Sequence, residues 1–149
     1  MIDTNYIKLN RLIALIILLI TFVVYFDTMA PTVSYWDCGE FIAVSHTLGV
    51  PHPPGSPFFL LLGRIFSMMP FNEDIAFRVN IISPIVSALA VMLLYLSIVK
   101  VVTHWRGKVK NITDVLIVFG GGASGALAFA FTDSHWFNAV EAEVYAFST

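Results

Sequence analysis

Three apolar runs dominate the chain, and each calls for a lipid surround rather than a soluble core. The first, Leu12 to Phe26, reads LIALIILLITFVVYF; the second covers about 79–103; the third, about 115–131, reads VLIVFGGGASGALAFAF. A helix crossing the hydrocarbon core of a bilayer needs about 20 apolar residues. Composition agrees, with 58% hydrophobic and 12% charged residues and a mean hydropathy of +0.82, where soluble domains carry about 25% charged residues. The expected fold is therefore all-α and integral to the membrane, with three transmembrane helices and short interfacial helices in a long first extracytoplasmic loop. A net charge of -2 speaks against a nucleic-acid partner, which requires a basic surface. The single cysteine, Cys38, excludes an internal disulfide and a Cys-cluster metal site.

The first run, taken as a helix of 15 residues, covers only about 22 Å, so Arg11 is expected to snorkel and Tyr25 to anchor at the interface. Its rival reading is a cleaved signal peptide, which the poor Thr28-Met29-Ala30 cleavage site followed by Pro31 disfavours. In the second run Asn80 and Pro84 are the main irregularities, and Pro84 is expected to kink the helix or sit in its first turn. Gly121 and Gly125 in the third run form a G-x-x-x-G suited to close helix packing. No Gly-Lys-Ser/Thr follows, so this is not a phosphate loop.

Six basic residues, Lys8, Arg11, Lys100, Arg106, Lys108 and Lys110, fall on one side of these spans. By the positive-inside rule that side is cytoplasmic, which places the N-terminus and the loop 104–114 inside and the loop 27–78 outside. The sequon Asn111-Ile112-Thr113 then lies in the cytosol and is expected to remain unglycosylated. The opposite side gathers Asp27, Asp37, Glu40, Glu73, Asp74, Asp133, Glu141 and Glu143 against only Arg64 and Arg78.

The outer loop of about 50 residues far exceeds an ordinary helix connection, and long ordered loops are usually functional. Phe41 to Val50 and Phe58 to Met69 are apolar enough for short helices that lie in the interface or re-enter the membrane, forming a floor suited to a substrate with a lipid tail. Ahead of the first stand Asp37 and Glu40 in Tyr35-Trp36-Asp37-Cys38-Gly39-Glu40-Phe41; three residues apart, they share a face if helical. Partial burial and mutual repulsion are expected to raise one of their pKa values, which suits a general base. The competing readings make Asp37 a helix cap and Glu40 a dipole partner. Gly49 to Pro57, GVPHPPGSP, is a stiff turn that displays His52 for a proton shuttle, a phosphate contact or a structural hydrogen bond.

After the third run comes Asp133 to Ala146, DSHWFNAVEAEVYA. If helical, it lines Asn138, Glu141 and Tyr145 along one face and turns Glu143 elsewhere, so the two glutamates cannot do the same job. Acids in an apolar helix returning to the membrane are functional candidates. The apolar pattern is still running at Thr149, which is expected of a piece of a longer polytopic protein.

The run Trp36 to Ile42, then His46 to Gly49, His52-Pro53-Pro54-Gly55, Phe77-Arg78-Val79-Asn80 and Ala142-Glu143-Val144-Tyr145 resembles, in consistent order, the protein O-mannosyltransferase-like family of polytopic membrane proteins. That resemblance implies the GT-C type helical bundle, of which residues 1–149 would be the N-terminal portion. It also implies transfer of a sugar, mannose or a similar hexose, from a polyprenyl- or dolichyl-phosphate carrier to a protein Ser or Thr on the non-cytoplasmic face. Asp37, about ten residues beyond the first span, matches the early acidic residue of that class and is expected to act as general base. Glu40 and Glu143 are expected to orient it or the acceptor, while Arg78, with Arg64 and His52 behind it, would stabilise the departing phosphate. Asn138 and Glu141 join the substrate-binding candidates. A divalent metal is left open, and the partners implied are membrane lipid, the lipid-linked sugar and an acceptor protein. Family members are much longer, so this piece alone is expected to be inactive.

The main alternative is a transporter or channel subunit binding cations or protons through Asp37, Glu40, Glu141 and Glu143, although the uncharged span interiors fit it less well. A scaffold assembled through Gly121 and Gly125 leaves the Pro-rich loop unexplained. The composition hints at a bacterial inner membrane with the site facing the periplasm.

Overall fold

Backbone polar groups within lipid must be satisfied inside their own segment, which favours helices wherever the apolar runs occur. The computed structural model describes residues 4–53, 56–142 and 144, and among the described residues there are helices and no strand. Three stretches are long and apolar enough to cross a membrane, Tyr6–Thr28, Ile75–Arg106 and Ile112–Ala130.

Helix α1 (Thr4–Thr28) has 25 residues and is about 37 Å long, well beyond the short apolar window. The polar turns at its start contain no breaker, and at its end the Thr28 hydroxyl bonds back to the Val24 carbonyl at 2.7 Å. The outer segment forms α2 (Cys38–Thr47), α3 (Pro57–Met68) and α4 (Ile75–Asn80). Helix α5 (Ile82–Arg106) starts afresh after Ile81. Pro84 sits in its first turn and has no N–H to give to the Asn80 carbonyl, which accounts for the break. Gly107, at φ 96, closes α5 in a backbone conformation that side chains rarely adopt. The third stretch consists of α6 (Ile112–Val115), a π-helical turn (Leu116–Gly120) and α7 (Gly121–Ala130). Asn111 opens it, its side chain accepting from Asp114 N. The last helix is α8 (Asp133–Ala139).

Contacts divide the chain into two units. The first comprises Met1–Val23 and Ala88–Thr132. Here Tyr95 is buried and its hydroxyl donates to Asn10 Oδ1 at 2.8 Å. The small-residue face of α7 is Gly122, Ala126 and Ala130, all buried. A Cβ on Gly122 would lie 3.0 Å from Val99 Cγ2 and 3.4 Å from the Tyr95 ring, and one on Gly125 would lie 3.4 Å from Ile98. Gly121 meets nothing, so of the expected Gly121 and Gly125 pair Gly125 lies at a packed position and Gly121 does not, the tighter approach being at Gly122. The π turn supplies the reason, because its wider winding shifts the register of every following residue.

The second unit comprises Val24–Ser87 and Asp133–Thr149. Its core gathers Cys38, Phe41 and Ile42 of α2, Phe59 and Leu60 of α3, and Ala76 and Val79 of α4. Phe41 and Phe59 meet edge to face at 5.7 Å, a favoured aromatic arrangement. Helices α2 and α3 cross where Gly63 leaves room for the buried Ser45, whose Cβ would lie 2.7 Å from an added Cβ. The opposite side of α3 is an exposed apolar stripe of Phe58, Leu61, Ile65 and Met68, as suits a 12-residue helix that is too short to span. Asp74 caps α4 by accepting from Ala76 N at 2.7 Å. The Thr32 hydroxyl, then the Ala76 and Phe77 N–H groups and Arg78, hold its carboxyl below the usual range.

Asn80, fully buried, ties this unit together. Its Nδ2 donates to the carbonyls of Ala30 and Thr32, each at 2.9 Å, and its Oδ1 accepts from Ala142 N at 3.1 Å and from Cys38 Sγ at 3.6 Å.

Two measurements in detergent check this packing. Gly63→Ala is expected to cost about 1–3 kcal/mol by overpacking and to be partly rescued by Ser45→Gly; unchanged thermal unfolding would show that α2 and α3 do not cross there. Asn80→Ala takes the partner from the buried Ala142 N–H and from the part-buried carbonyls of Ala30 and Thr32 and is expected to cost about 1–3 kcal/mol, whereas a loss near zero would remove Asn80 from its clasping role.

Candidate functional site

Helix α2 starts abruptly. Trp36 has φ 57, a left-handed backbone, and the chain turns there into Asp37 and the first helical turn. Cys38 points inward, completely buried, with its thiol on Asn80. Anchoring that side of the turn leaves Asp37 and Glu40, one turn apart, on the accessible side. Asp37 occupies the N-cap position yet makes no side-chain capping bond, so the capping reading fails for its carboxylate. Glu40 does stand in the first turn, where a negative charge is favourable.

At the other end of α2, Leu48 also adopts a left-handed backbone, φ 55, and its N–H and that of Gly49 bond to the Val44 carbonyl. The chain then reverses through Pro51 and brings His52 back beside the start of the helix. The His52 backbone N–H donates to Glu40 Oε1 at 2.8 Å, and its ring Nδ1 lies 2.7 Å from Glu40 Oε2. Its Nε2 stands 3.8 Å from Asp37 Oδ2. One imidazole therefore has a nitrogen towards each carboxylate. The short contact to a carboxylate, an acceptor only, assigns a proton to Nδ1. The ring also leans on Phe41, centroids 6.0 Å apart, which limits its swing.

The electrostatics differ from the sequence expectation. Repulsion between the two acids was expected to raise a pKa, but His52 lies between them. Its side-chain hydrogen bond first, then its backbone N–H, hold the Glu40 carboxyl below the usual carboxylate range. All three side chains stay partly open, with 56% of the Asp37, 37% of the Glu40 and 48% of the His52 side chain accessible. A ligand atom from each lies within 4.8 Å of the others. Two carboxylate oxygens and an imidazole nitrogen form a donor set that divalent cations with mixed oxygen and nitrogen preference accept, with positions left for substrate oxygens.

The remaining candidates lie elsewhere. The Arg78 guanidinium donates to three backbone carbonyls, those of Asn72, Ser67 (2.9 Å) and Glu73 (3.3 Å), and so ties the end of α3 to α4. Arg64 donates to the His46 carbonyl at the end of α2, a position where helix carbonyls lack intrahelical partners. Among the described residues no ion pair joins either arginine to Asp37 or Glu40. Asn138 bonds back to Ser134 O of its own helix at 2.8 Å.

Helix α8 stops at Ala139, so Asn138 and Glu141 do not share the helical face expected of them. The chain leaves the helix because the Val140 carbonyl accepts from Ala30 N at 2.8 Å and Ala142 N goes to Asn80. Glu141 is left 2% exposed with Oε1 unbonded. Glu143, Tyr145, Pro54 and Gly55 lie outside the described residues. Asn80 and Cys38, which hold the start of α2, were not among the candidates; the signal for Asn80 was a lone amide at the mouth of an apolar run, where a polar group needs partners.

Residues 37–149 match the family model described as the protein O-mannosyl-transferase TMEM260 N-terminal domain. The chain is 32% identical over 126 residues to protein O-mannosyl-transferase tmem260 of Dictyostelium discoideum, covering 83% of this chain. It is 33% identical over 113 residues to protein O-mannosyl-transferase TMEM260 of Mus musculus, covering 73% of this chain. Each match spans 14% of the relative's length. No solved structure matches. With both acids and His52 inside the matched region, the chain belongs to the TMEM260 N-terminal domain family.

Proposed function

We propose that this chain supplies the acidic first-loop part of a membrane glycosyltransferase, one that moves mannose or a similar hexose from a lipid-phosphate carrier to a Ser or Thr hydroxyl of a protein. The observation that carries this reading is the Asp37, His52 and Glu40 group at the start of α2; the names of the two relatives support it. The charge distribution of the sequence puts this group on the non-cytoplasmic side, with the N-terminus inside. A GT-C type bundle completed by further spans would enclose it.

In this reading Asp37 accepts the proton of the acceptor hydroxyl as that oxygen attacks the anomeric carbon and the bond to the carrier phosphate breaks. Its carboxylate suits the task because no cap bond occupies it. Glu40 fixes His52 through two hydrogen bonds, and His52 in turn presents Nε2 towards Asp37, which limits where the base can point. The departing phosphate needs positive charge. Arg64 and Arg78 both serve backbone carbonyls, and among the described residues the His52 imidazole is the nitrogen group that stands beside both acids. A divalent cation held by Asp37, Glu40 and His52 would supply that charge where one is bound. Glu143 is retained as a residue that orients the acceptor.

In the full-length protein with a lipid-phosphate sugar and a Ser/Thr-rich acceptor, Asp37→Asn is expected to lower transfer about 10²–10⁴-fold while leaving thermal unfolding unchanged. Transfer at the wild-type rate would remove Asp37 from the chemistry.

The Glu40 shift gives a second check. Because its folded pKa is depressed, its bond to His52 is in force at neutral pH and is lost only as pH falls through that depressed value. In a carboxyl carbon NMR titration, His52→Ala is expected to move the Glu40 midpoint up towards the ordinary carboxylate range. An unmoved midpoint would show that His52 does not hold it down.

A further inference from the structure

The first unit contains a cavity of about 880 Å³, between the opening turns of α1, the closing turns of α5 and Phe119 of the π turn. None of its lining residues belongs to the group around Asp37. Four basic side chains reach it, Arg11, Lys100, His104 and Lys108, and among the described residues no acid lines it. The nearby acid Asp114 is already engaged, with Arg106 at 3.8 Å and with Lys110 N at 3.0 Å. The rest of the wall is largely apolar, including Leu96, Val99 and Phe119. Trp105, 86% exposed, stands at the same end of α5, and such rings favour the level of lipid headgroups.

A cationic rim over apolar helix sides matches an anionic amphiphile. Soluble anions would use the charges and leave the apolar wall wet, and an uncharged lipid would use the wall and leave the charges uncompensated. We infer that this cavity is a binding site for an anionic membrane phospholipid, with the phosphate among Arg11, Lys100 and Lys108 and the acyl chains along α1 and α5. A headgroup there adds a second link between α1 and α5 beside the Tyr95–Asn10 hydrogen bond, and the site's occupancy follows the lipid composition of the membrane. Basic pockets between membrane helices bind phosphate headgroups in this way.

The test is native mass spectrometry of the full-length protein in detergent, titrated in parallel with phosphatidylglycerol, phosphatidylcholine and sn-glycerol 3-phosphate. Phosphatidylglycerol is expected to be retained in preference to phosphatidylcholine. Lys100→Ala combined with Lys108→Ala is expected to weaken phosphatidylglycerol binding roughly 20-fold or more, and the paired Lys→Arg variants to keep it. Arg11→Gln alone, a milder change, is expected to weaken it about fivefold and covers the case in which the double variant does not fold. Equal retention of the two lipids would overturn the proposal, as would unchanged affinity in Arg11→Gln. Displacement of the phospholipid by glycerol phosphate at matching concentration would reassign the site to a soluble phosphate ester.

Discussion

One buried amide sets the geometry on which the candidate site depends. Asn80 bonds to the carbonyls of Ala30 and Thr32, to Ala142 N and to the Cys38 thiol, so four places far apart in sequence converge on one side chain. An uncharged amide is well suited to this, since it can donate and accept at once without the desolvation cost of a charge. Its position at the end of α4 also matters. Pro84 removes the N–H that would have used the Asn80 carbonyl in a continuous helix, and the resulting break at Ile81 separates α4 from α5.

From that clasp the site follows in short steps. Cys38 is held inward, α2 begins there, and Asp37 and Glu40 emerge on the other side. Trp36 and Leu48 both carry left-handed backbones, conformations that cost a non-glycine residue roughly 1–2 kcal/mol. They bracket α2 and turn the chain sharply at both ends, which is what allows His52 to return to the helix start. The acids are therefore positioned by their helix and by the one histidine they share, with the local strain at exposed Trp36 and Leu48 offset by burial of Cys38, Phe41 and Ile42 between them.

Much of this was legible in the sequence. The three apolar stretches announced membrane helices because lipid leaves the backbone no other choice, and the Asp37 and Glu40 spacing read correctly as one helical face. The helix lengths were less legible, since α1 extends through polar residues that hydropathy does not count. His52 could be named but not placed, because its return depends on how 12 residues of α2 and turn double back. Arg64 and Arg78 illustrate the limit best. Their type suggested phosphate binding, whereas their partners are backbone carbonyls that only the tertiary arrangement brings within reach. Glu141 changed meaning for a similar reason, as hydrogen bonds from Ala30 and to Asn80 end α8 before its expected face is complete.

The π turn at Leu116–Gly120 acts on the third stretch as a phase shifter. Each residue of an α-helix advances the face by about 100°, so deleting Gly121 would swing Gly122, Ala126 and Ala130 away from Tyr95 and Val99 and set Ala123, Leu127 and Phe131 in their places. Ala123 is small enough for the seam, but Leu127 and Phe131 are not. The run of glycines therefore gives no licence to slip: the length of chain between the π turn and Gly122 is fixed by the two alanines that follow one and two turns later, and a one-residue change there would be met by loss of packing along α7.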